Sequence, residues 1–321
     1  MTDHPEILLP DDAGITRAAE LLARGDLVAM PTETVYGLAG DARNPQAVAR
    51  IFAAKGRPAH NPLIVHLARM EEAEDLVDLP AAARTLAAHF WPGPLTLVAP
   101  LRPDHRLAPA VTAGLPTVAL RLPAHPLARQ LLEAFGGPLA APSANPSGRI
   151  SPTTADHVIA GLGGRIAAVL DGGACHVGLE STIIGFDGEQ AVMLREGGLS
   201  RDAIEAALGT QLHARDAAKI TAPGQLASHY APRARLRLNV RAPTPEELWI
   251  GFGPDCSGAA LQLSESGDLA EAAARLFAAL HEADLRADQI AIAPVPDSGI
   301  GAAINDRLRR AAAPRTPESE A

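Results

Sequence analysis

Two cationic side chains of different shape, Lys55 and Arg57, stand close together in the N-terminal half of the chain. Asn61 follows them, and His66 lies on a predicted strand just beyond. A compact ammonium beside a planar guanidinium suits a ligand that carries several anionic oxygens, such as a polyphosphate or a carboxylate. Lys55 stands out because the chain has 26 arginines and only two lysines. Two simpler explanations remain open: Lys55 ends a predicted helix, where a cation suits the helix dipole, and His66 is typical of a satisfied sheet histidine.

Two further arginines lie on predicted strands. Arg121 belongs to an apolar strand at 117–122 and shares one face with Thr117 and Ala119, because side chains alternate along a strand. A buried arginine needs an anionic partner, which is either a ligand or a glutamate of the chain itself. Arg195 ends a strand just before two glycines. Both arginines are therefore candidates for holding an anion.

Small hydroxyl and amide side chains gather at the ends of several predicted strands. They are Thr34 in the predicted turn 31–42, Ser143, Asn145 and Ser151 in 138–152, and Ser181 in 178–182. Such side chains let donors approach phosphate or ribose oxygens closely, although Thr34 could instead cap a turn. A Walker loop and the local contexts of nucleophilic catalysis are absent from the sequence. The set favours nucleotidyl or phosphoryl chemistry, in which catalysis is mostly orientation and charge stabilisation.

The elements that must position these residues alternate between helix and strand. The spacing predicts strands near 27–31, 63–67, 95–100, 117–122, 138–141, 167–170, 181–186 and 191–194, and helices near 13–24, 46–54, 81–89, 125–134, 153–160 and 200–208. The short connection after 181–186 predicts an antiparallel hairpin. We therefore expect an α/β fold, with a twisted, mixed, open sheet flanked by helices and a concave nucleotide site.

A second, smaller unit follows this region. Residues 209–240 lack a sustained period and are interpreted as a linker. Strands are predicted near 248–253, 259–263 and 290–294, and helices near 268–284 and 299–312. The predicted organisation is a catalytic domain at 1–208, the linker at 209–240, a small Rossmann-like α/β domain at 241–313 and a disordered tail at 314–321.

Composition excludes several classes of protein. The chain has 321 residues, of which 47% are hydrophobic and 20% charged, as is typical of folded globular proteins and not of disordered ones. Its apolar stretches are too short to span a membrane. The net charge of −9 disfavours a broad nucleic-acid surface, and two cysteines cannot build a disulfide framework. We expect a cytoplasmic protein without a membrane segment.

Seven groups of residues, taken in their order and spacing, resemble the threonylcarbamoyl-AMP synthase family. They are PTETVYGL, KGRP with NPLIVH, FWPGPLTLV, ALRLP, APSANPSG, GLESTII and LREG. The resemblance covers about residues 15–205. The segment APGQLASHYAP at 222–232, followed by an extra α/β unit, is similar to the long, two-domain form of the family.

The resemblance implies an enzyme that joins L-threonine, bicarbonate and ATP, releases pyrophosphate and makes L-threonylcarbamoyl-adenylate. This product is the donor for threonylcarbamoyl-adenosine modification of tRNA, so a downstream tRNA-threonylcarbamoylating complex is implied as a transient partner. Mg²⁺ is implied by ATP, with no residue of the chain assigned as its ligand.

The resemblance also assigns roles to individual residues. The residues placed around threonine and its carbamate are Thr34, His66, Arg121, Ala141 and Ser181, with Arg121 on the carboxylate. Those placed around ATP are Arg57, Asn61, Thr117, Ser143, Asn145, Ser151, Arg195 and His229. Lys55 and Arg57 are expected to be catalytic, near the phosphates and the attacked centre. Because the carbamate and the adenylate both decompose in water, a lid is expected, formed by the linker with His229 and Tyr230.

Two alternatives remain open at this level. One is a carbamoyl transferase module on the same fold, which would require partner domains that are not found in this sequence. The other is a non-enzymatic nucleotide sensor or RNA-binding module. The acidic charge balance disfavours RNA, and the intact set of cations and hydroxyls disfavours a degenerate site.

Overall fold

The computed structural model describes residues 4–213 and 229–314. Nearly half of the predicted linker, at 214–228, and nearly all of the predicted tail therefore lie outside the described residues. The described part contains a large mixed sheet and a small parallel sheet, each packed against helices. The predicted fold class is confirmed.

The large sheet has ten strands, with neighbours in the order β1, β8, β2, β3, β7, β4, β6, β5, β9 and β10. In chain order these are β1 (Glu6–Leu8), β2 (Val28–Met30), β3 (Gly37–Asp41), β4 (Ile64–His66), β5 (Leu95–Pro100), β6 (Thr117–Arg121), β7 (Leu139–Ala140), β8 (Ala168–Leu170), β9 (Thr182–Asp187) and β10 (Gln190–Arg195). Strands β4 and β6 pair in parallel, whereas β9 and β10 form the predicted antiparallel hairpin.

Seven helices accompany the large sheet. They are α1 (Asp12–Ala23), α2 (Pro45–Lys55), α3 (Met70–Leu76), α4 (Ala81–Phe90), α5 (Pro126–Phe135), α6 (Ala155–Leu162) and α7 (Arg201–Leu208). Short 3₁₀ turns occupy Pro109–Val111 and Gly163–Arg165. The helices bury apolar residues against the large sheet in two clusters, one of which contains the buried leucines of α1 and α5.

The small sheet is entirely parallel, and its strands lie in the order β11, β14, β12 and β13. They are β11 (Arg235–Arg237), β12 (Leu248–Gly251), β13 (Leu261–Gln262) and β14 (Gln289–Ile292), packed with helices α8 (Leu269–Arg286) and α9 (Gly301–Ala312) and a 3₁₀ turn at Pro254–Cys256. Its apolar core continues into the large unit through Val35, Ile150 and Leu179. The two units therefore share buried surface.

The junction between the units is close enough to require a glycine. Gly178 has a φ of +71°, and a Cβ at this position would lie 2.5 Å from the Ala273 carbonyl oxygen and from the Ala274 Cα of α8. Only a residue without a side chain permits this approach.

Every strand and helix predicted above is present in the structure within a few residues of its expected bounds. Four elements were missed: β1, β3, α3 and β11. The interpretation of 31–42 as a turn was wrong in its second half, because β3 pairs with both β2 and β7 there. The small sheet begins at β11, inside the range predicted as linker, because β11 pairs with β14. Of the described helices, none is both long and apolar enough to cross a membrane.

Candidate active site

Helix α2 presents the two cations predicted to be catalytic. The helix begins where the Asn44 side chain accepts bonds from the backbone N–H groups of residues 46 and 47, and it ends at Gly56, which adopts the left-handed conformation with φ 58°. Lys55 is therefore the last residue of the helix, and Arg57 follows the turn. Both side chains point inward toward the loops that carry the hydroxyl residues.

Lys55 is buried against the loop that follows β7. Its ammonium donates to the backbone oxygens of Ser143 at 2.6 Å and Asn145 at 2.5 Å. In return, the Ser147 N–H donates to the Lys55 carbonyl oxygen at 2.8 Å. The Asn145 side chain bonds to the Pro146 and Arg149 carbonyl oxygens and fixes the same loop. Lys55 thus shapes this loop, and an ammonium with three donors retains one for a further acceptor.

Arg57 is held by the segment that precedes β4. Its Nη2 donates to the Asn61 side-chain oxygen and to the Pro62 carbonyl oxygen, both at 2.7 Å. Asn61 is itself buried, and its Nδ2 has no hydrogen-bond partner among the described residues. A buried amide donor without a partner is costly, so this geometry favours a ligand atom beside Asn61.

His66 and Arg121 lie side by side, because β4 and β6 pair in parallel with these two residues in register. Arg121 Nη1 donates to the Thr34 hydroxyl at 2.8 Å, its Nε donates to the Gly93 carbonyl oxygen at 3.2 Å, and its Nη2 lies 2.7 Å from Glu33 Oε1. The internal glutamate considered from the sequence is therefore present. A guanidinium has five N–H donors, so these contacts leave Arg121 capacity to bind a further anion.

The hairpin of β9 and β10 builds the opposite wall. Arg195 Nη2 donates to the Ser181 carbonyl oxygen at 2.8 Å and to the Ser181 hydroxyl at 3.2 Å. The same hydroxyl lies 2.7 Å from the Thr96 hydroxyl of β5. The parallel pairing of β5 and β9 positions Thr96 for this contact.

Glu180 connects this wall to the C-terminal unit. Its Oε1 accepts a bond from the Ser151 hydroxyl at 2.6 Å, and its Oε2 accepts from Arg307 Nε at 3.0 Å. Arg307 lies on α9 and is fully buried. Its guanidinium carbon stands 5.5 Å from the centre of the Tyr230 ring, and the rings of Tyr230 and His229 are 4.1 Å apart.

These elements surround one cavity that is partly open to solvent. Ten predicted site residues line it: Thr34, Arg57, His66, Arg121, Ala141, Ser143, Ser181, Arg195, His229 and Tyr230. The cavity is therefore lined both by residues predicted to bind threonine and by residues predicted to bind ATP.

Five predicted residues do not line this cavity. Lys55, Asn61, Asn145 and Ser151 are buried directly behind its wall, through the contacts described above. Thr117 is different, because it begins β6 whereas Arg121 ends the same strand. Four residues of extended chain separate the two by roughly 13 Å. Thr117 is not among the residues that line the cavity.

Cations and neutral histidines line the cavity or lie directly behind its wall. Burial and the neighbouring Arg57 lower the pKa of Lys55 well below its usual value, and burial with Arg195 lowers the pKa of Arg57 to about 9. Burial and Arg121 lower the pKa of His66 to about 3. Burial, Arg57 and Lys55 likewise lower the pKa of His229 well below its usual value. Cations crowded in this way are stabilised when an anion enters.

Sequence reasoning missed several residues of the site. Thr32, Val35, Gly37, Ile64, Pro142 and Glu180 also line the cavity. They lie within the sequence motifs already described, so their position beside the predicted site residues could have identified them. Arg307 had no signal of this kind, because it lies in α9, 127 residues beyond the Glu180 that it contacts.

Models of known protein families match both units of the chain. A family model described as telomere recombination matches residues 20–197, and a model of the threonylcarbamoyl-AMP synthase C-terminal domain matches residues 199–313. Threonylcarbamoyl-AMP synthase of Bacillus subtilis is 42% identical, with 98% of this chain and 97% of the relative covered. The enzyme of that name from Schizosaccharomyces pombe is 34% identical, with 97% and 91% covered.

A solved structure agrees over nearly the whole chain. The crystal structure of Pyrococcus abyssi Sua5 complexed with L-threonine matches with a TM-score of 0.87 and 38% identity, covering 96% of this chain and 97% of that one. Both family models and the full-length relatives thus point to one family, in its two-domain form. This chain belongs to the threonylcarbamoyl-AMP synthase family.

Proposed function

We propose that this cavity makes L-threonylcarbamoyl-adenylate from L-threonine, bicarbonate and ATP, with release of pyrophosphate. The chain is accordingly a nucleotidyl-transferring enzyme that supplies the donor for threonylcarbamoyl-adenosine in tRNA. The observation that carries the proposal is the single cavity at which Arg57, Arg121 and Arg195 meet the predicted hydroxyl donors. A 38% identical relative, similar over nearly its full length, was crystallised with L-threonine.

The threonine end of the cavity consists of Thr34, His66, Arg121, Ala141 and Ser181. Arg121 is held from three sides and directs its remaining donors to the substrate carboxylate. His66 is neutral at physiological pH, and its Nδ1 is buried without a hydrogen-bond partner among the described residues. A neutral imidazole can bond to the substrate without adding charge.

The ATP end consists of the loops on the other side of the cavity. Its residues are Lys55, Arg57, Asn61, Ser143, Asn145, Ser151, Arg195 and His229, and Thr117 is omitted because of its position. Lys55 and Arg57 act on the phosphates, where a point charge and a planar fork complement each other. The buried, unpartnered atoms Asn61 Nδ2 and His229 Nδ1 are further candidates for contacts with the nucleotide.

The reaction has two steps that these residues assist. The threonine nitrogen attacks the carbon of bicarbonate, so an N–C bond forms and water leaves to give a carbamate. A carbamate oxygen then attacks the α-phosphorus of ATP, and the bond to pyrophosphate breaks. Both steps bring anionic groups together, and the cations Lys55, Arg57 and Arg195 offset their repulsion.

Mg²⁺ enters this proposal with ATP, as part of the substrate. Within residues 4–213 and 229–314, no three His, Cys, Asp or Glu side chains are grouped so that they could hold a metal ion. Glu180, the carboxylate that lines the cavity, is already paired with Arg307. This donor set does not fit a resident metal, and no step is derived through one.

The described end of the linker favours its role as a lid over the cavity. The Ala231 N–H donates to the Gly148 carbonyl oxygen at 2.8 Å, and the His229 N–H donates to the Arg310 carbonyl oxygen at 3.2 Å. His229 and Tyr230 are thereby fixed between the loop after β7 and α9. Residues 214–228 of the predicted lid lie outside the described residues. Closure over the site would protect the carbamate and the adenylate from water.

The test is pyrophosphate release by the purified chain with Mg²⁺ and ATP, with and without L-threonine and bicarbonate, and identification of the adenylate by mass. We expect release that requires both co-substrates and a product of the mass of threonylcarbamoyl-adenylate. ATP binding without turnover would contradict the proposal. Because the product decomposes in water, its consumer should be a tRNA-threonylcarbamoylating complex in the same compartment, which we take to be the cytoplasm.

A further inference from the structure

One side chain of the C-terminal unit, that of Arg307 on α9, is buried next to the cavity wall. Arg307 is 0% exposed, although arginine is rarely buried completely. It lies on the buried face of α9 beside Ile304, Leu308 and Ala311. A cation in this apolar position requires compensation by its contacts.

These contacts reach three separate parts of the cavity wall. Arg307 Nε donates to Glu180 at 3.0 Å, and its Nη1 donates to the Glu196 carbonyl oxygen at 2.6 Å. Its guanidinium also faces the ring of Tyr230 at 5.5 Å, a distance at which a cation is attracted by an aromatic ring. Asp306, the preceding residue of α9, accepts a second bond from Nη1 at 3.1 Å.

Each of these three groups adjoins a residue proposed to bind ATP. Glu180 accepts a hydrogen bond from the Ser151 hydroxyl. Glu196 directly follows Arg195 in the chain. Tyr230 directly follows His229, and the centres of their rings are 4.1 Å apart. A planar guanidinium with several fixed donors is well suited to hold such groups in one arrangement.

Arg121 at the threonine end is anchored independently of Arg307. It is held by Glu33, Thr34 and Gly93, which all belong to the large unit. Ser181 is held by Thr96 of the neighbouring strand and also by Arg195, so one contact of the threonine end leads back to the groups around Arg307. Loss of Arg307 should therefore disturb the ATP end more than the threonine end, whose carboxylate site at Arg121 keeps its own contacts.

We propose that Arg307 is a positioning residue through which the C-terminal unit orients Glu180, the strand end at Arg195 and the Tyr230 ring for the binding of ATP. Arg307 does not line the cavity, so it acts through these groups and not by direct contact with a substrate. This inference rests on the assignment of Ser151, Arg195 and His229 to ATP. It gives the C-terminal unit a specific part in the reaction, because the nucleotide end of the cavity is incomplete without α9.

The test compares Arg307→Met, which removes the charge and keeps much of the side-chain volume, with Arg309→Met on the same helix. Arg309 is a matched control because its side chain is 60% exposed and lies 3.9 Å from Asp297, away from the cavity. The affinity for Mg²⁺–ATP is measured by calorimetry without co-substrates, and the affinity for L-threonine is measured separately. Circular dichroism verifies that each variant is folded.

We expect Arg307→Met to weaken ATP binding by about tenfold or more, as expected when groups that orient a ligand are misplaced, and to change threonine binding by less than about twofold. Arg309→Met should change neither affinity. Equal weakening of both ligands in Arg307→Met would indicate a general structural role and overturn the proposal, as would unchanged ATP binding.

If Arg307→Met does not fold, Arg307→Lys takes its place in the same comparison, because lysine keeps the charge for Glu180 but lacks the planar fork that holds three groups. These affinities are measured without turnover, so they decide the role of Arg307 even if the wild-type chain makes no adenylate. Pyrophosphate release by the wild-type chain is measured alongside and tests the proposed function separately.

Discussion

At the residue level, the buried ammonium of Lys55 holds the loop at 143–145, and we propose that its remaining donor binds a phosphate of ATP. We predict that Lys55→Ala lowers the rate of product formation by about 10²–10³-fold, the effect typical of removing one preorganised electrostatic contact. Threonine binding should change little, because the threonine end is built from Arg121 and its partners. Pyrophosphate release and calorimetry with L-threonine measure the two effects.

The matched control for this prediction is Arg50→Ala. Arg50 is also a cation on α2, but it is half-exposed and bonds to the Gly25 carbonyl oxygen away from the cavity. Its removal should leave the rate near that of the wild type. If Lys55→Ala lost threonine affinity to the same degree as activity, the assignment of Lys55 to the phosphates would be wrong.

The sequence predicted which residues belong to the site better than it predicted the partners of those residues. Lys55, Arg57 and Arg195 were recognised because their charge is unusual beside glycine, proline and small hydroxyl residues. The pairing of Arg121 with Glu33 was left open, since both a ligand and an internal carboxylate satisfy a buried guanidinium. Only the distance between Arg121 and Glu33 in the folded chain shows which partner is present, and the spacing of residues along the sequence does not give that distance.

At the level of elements, the end of β10 is packed directly on the backbone that enters β9. A Cβ on Gly197 would lie 2.4 Å from the Glu180 carbonyl oxygen and from the Thr182 nitrogen. Because backbone atoms cannot move aside as a flexible side chain does, Gly197→Ala should force the hairpin away from residues 180–182. We predict a loss of about 1–3 kcal/mol in the free energy of unfolding, as is typical of overpacking, together with weaker threonine binding through Ser181.

Urea unfolding and calorimetry measure both consequences of Gly197→Ala. Gly258→Ala is the matched control, because a Cβ there meets nothing within 4 Å and its backbone is not in the left-handed region. Threonine affinity equal to that of the wild type in Gly197→Ala would show that this close packing does not position Ser181.

Elements with strong hydrophobic periods were predictable, and elements fixed by pairing were not. The segment of β3 reads Gly-Leu-Ala-Gly-Asp and lacks the β-branched residues that mark a strand, yet it pairs with β2 and β7. The Arg-Leu-Arg segment of β11 resembles a polar linker until β14 pairs with it. In both cases tertiary pairing overrides local propensity.

At the scale of the whole molecule, chain length and the change in pattern near residue 209 predicted two units but not how they contact each other. The contact depends on single residues such as Arg307 and Gly178, and on apolar side chains shared between the two cores. No local pattern identifies which face of α8 or α9 turns toward the large unit, because both helices also bury a face against their own sheet. The contact between the two units therefore could not be predicted from the sequence patterns of the individual helices and strands.

A pair of stacked histidines lies at the contact between the two units. His157 of α6 stacks on His281 of α8, with ring centres 3.9 Å apart, and His281 Nε2 lies 3.2 Å from the Ser151 carbonyl oxygen. Burial lowers the pKa of His157, and burial with His157 lowers the pKa of His281 to about 4. The nearby Asp156 and Asp284 act in the opposite direction and offset only part of these shifts.

The sign of the effect follows from these shifts. A histidine in the unfolded chain has a pKa near 6.5, so between about pH 4 and 6.5 the unfolded state binds more protons than the folded state. The free energy of unfolding should therefore fall as the pH decreases through this window. His66, with its pKa of about 3, contributes in the same direction, so a comparison of variants is needed to isolate the pair.

We predict that His281→Gln makes the free energy of unfolding less dependent on pH between about 4.5 and 6.5, because one of the protons taken up on unfolding is removed. Urea unfolding at several pH values measures this slope. His60→Gln, which replaces an exposed histidine, should keep the slope of the wild type. An unchanged slope in His281→Gln would mean that the stacked pair does not couple protonation to the contact between the two units.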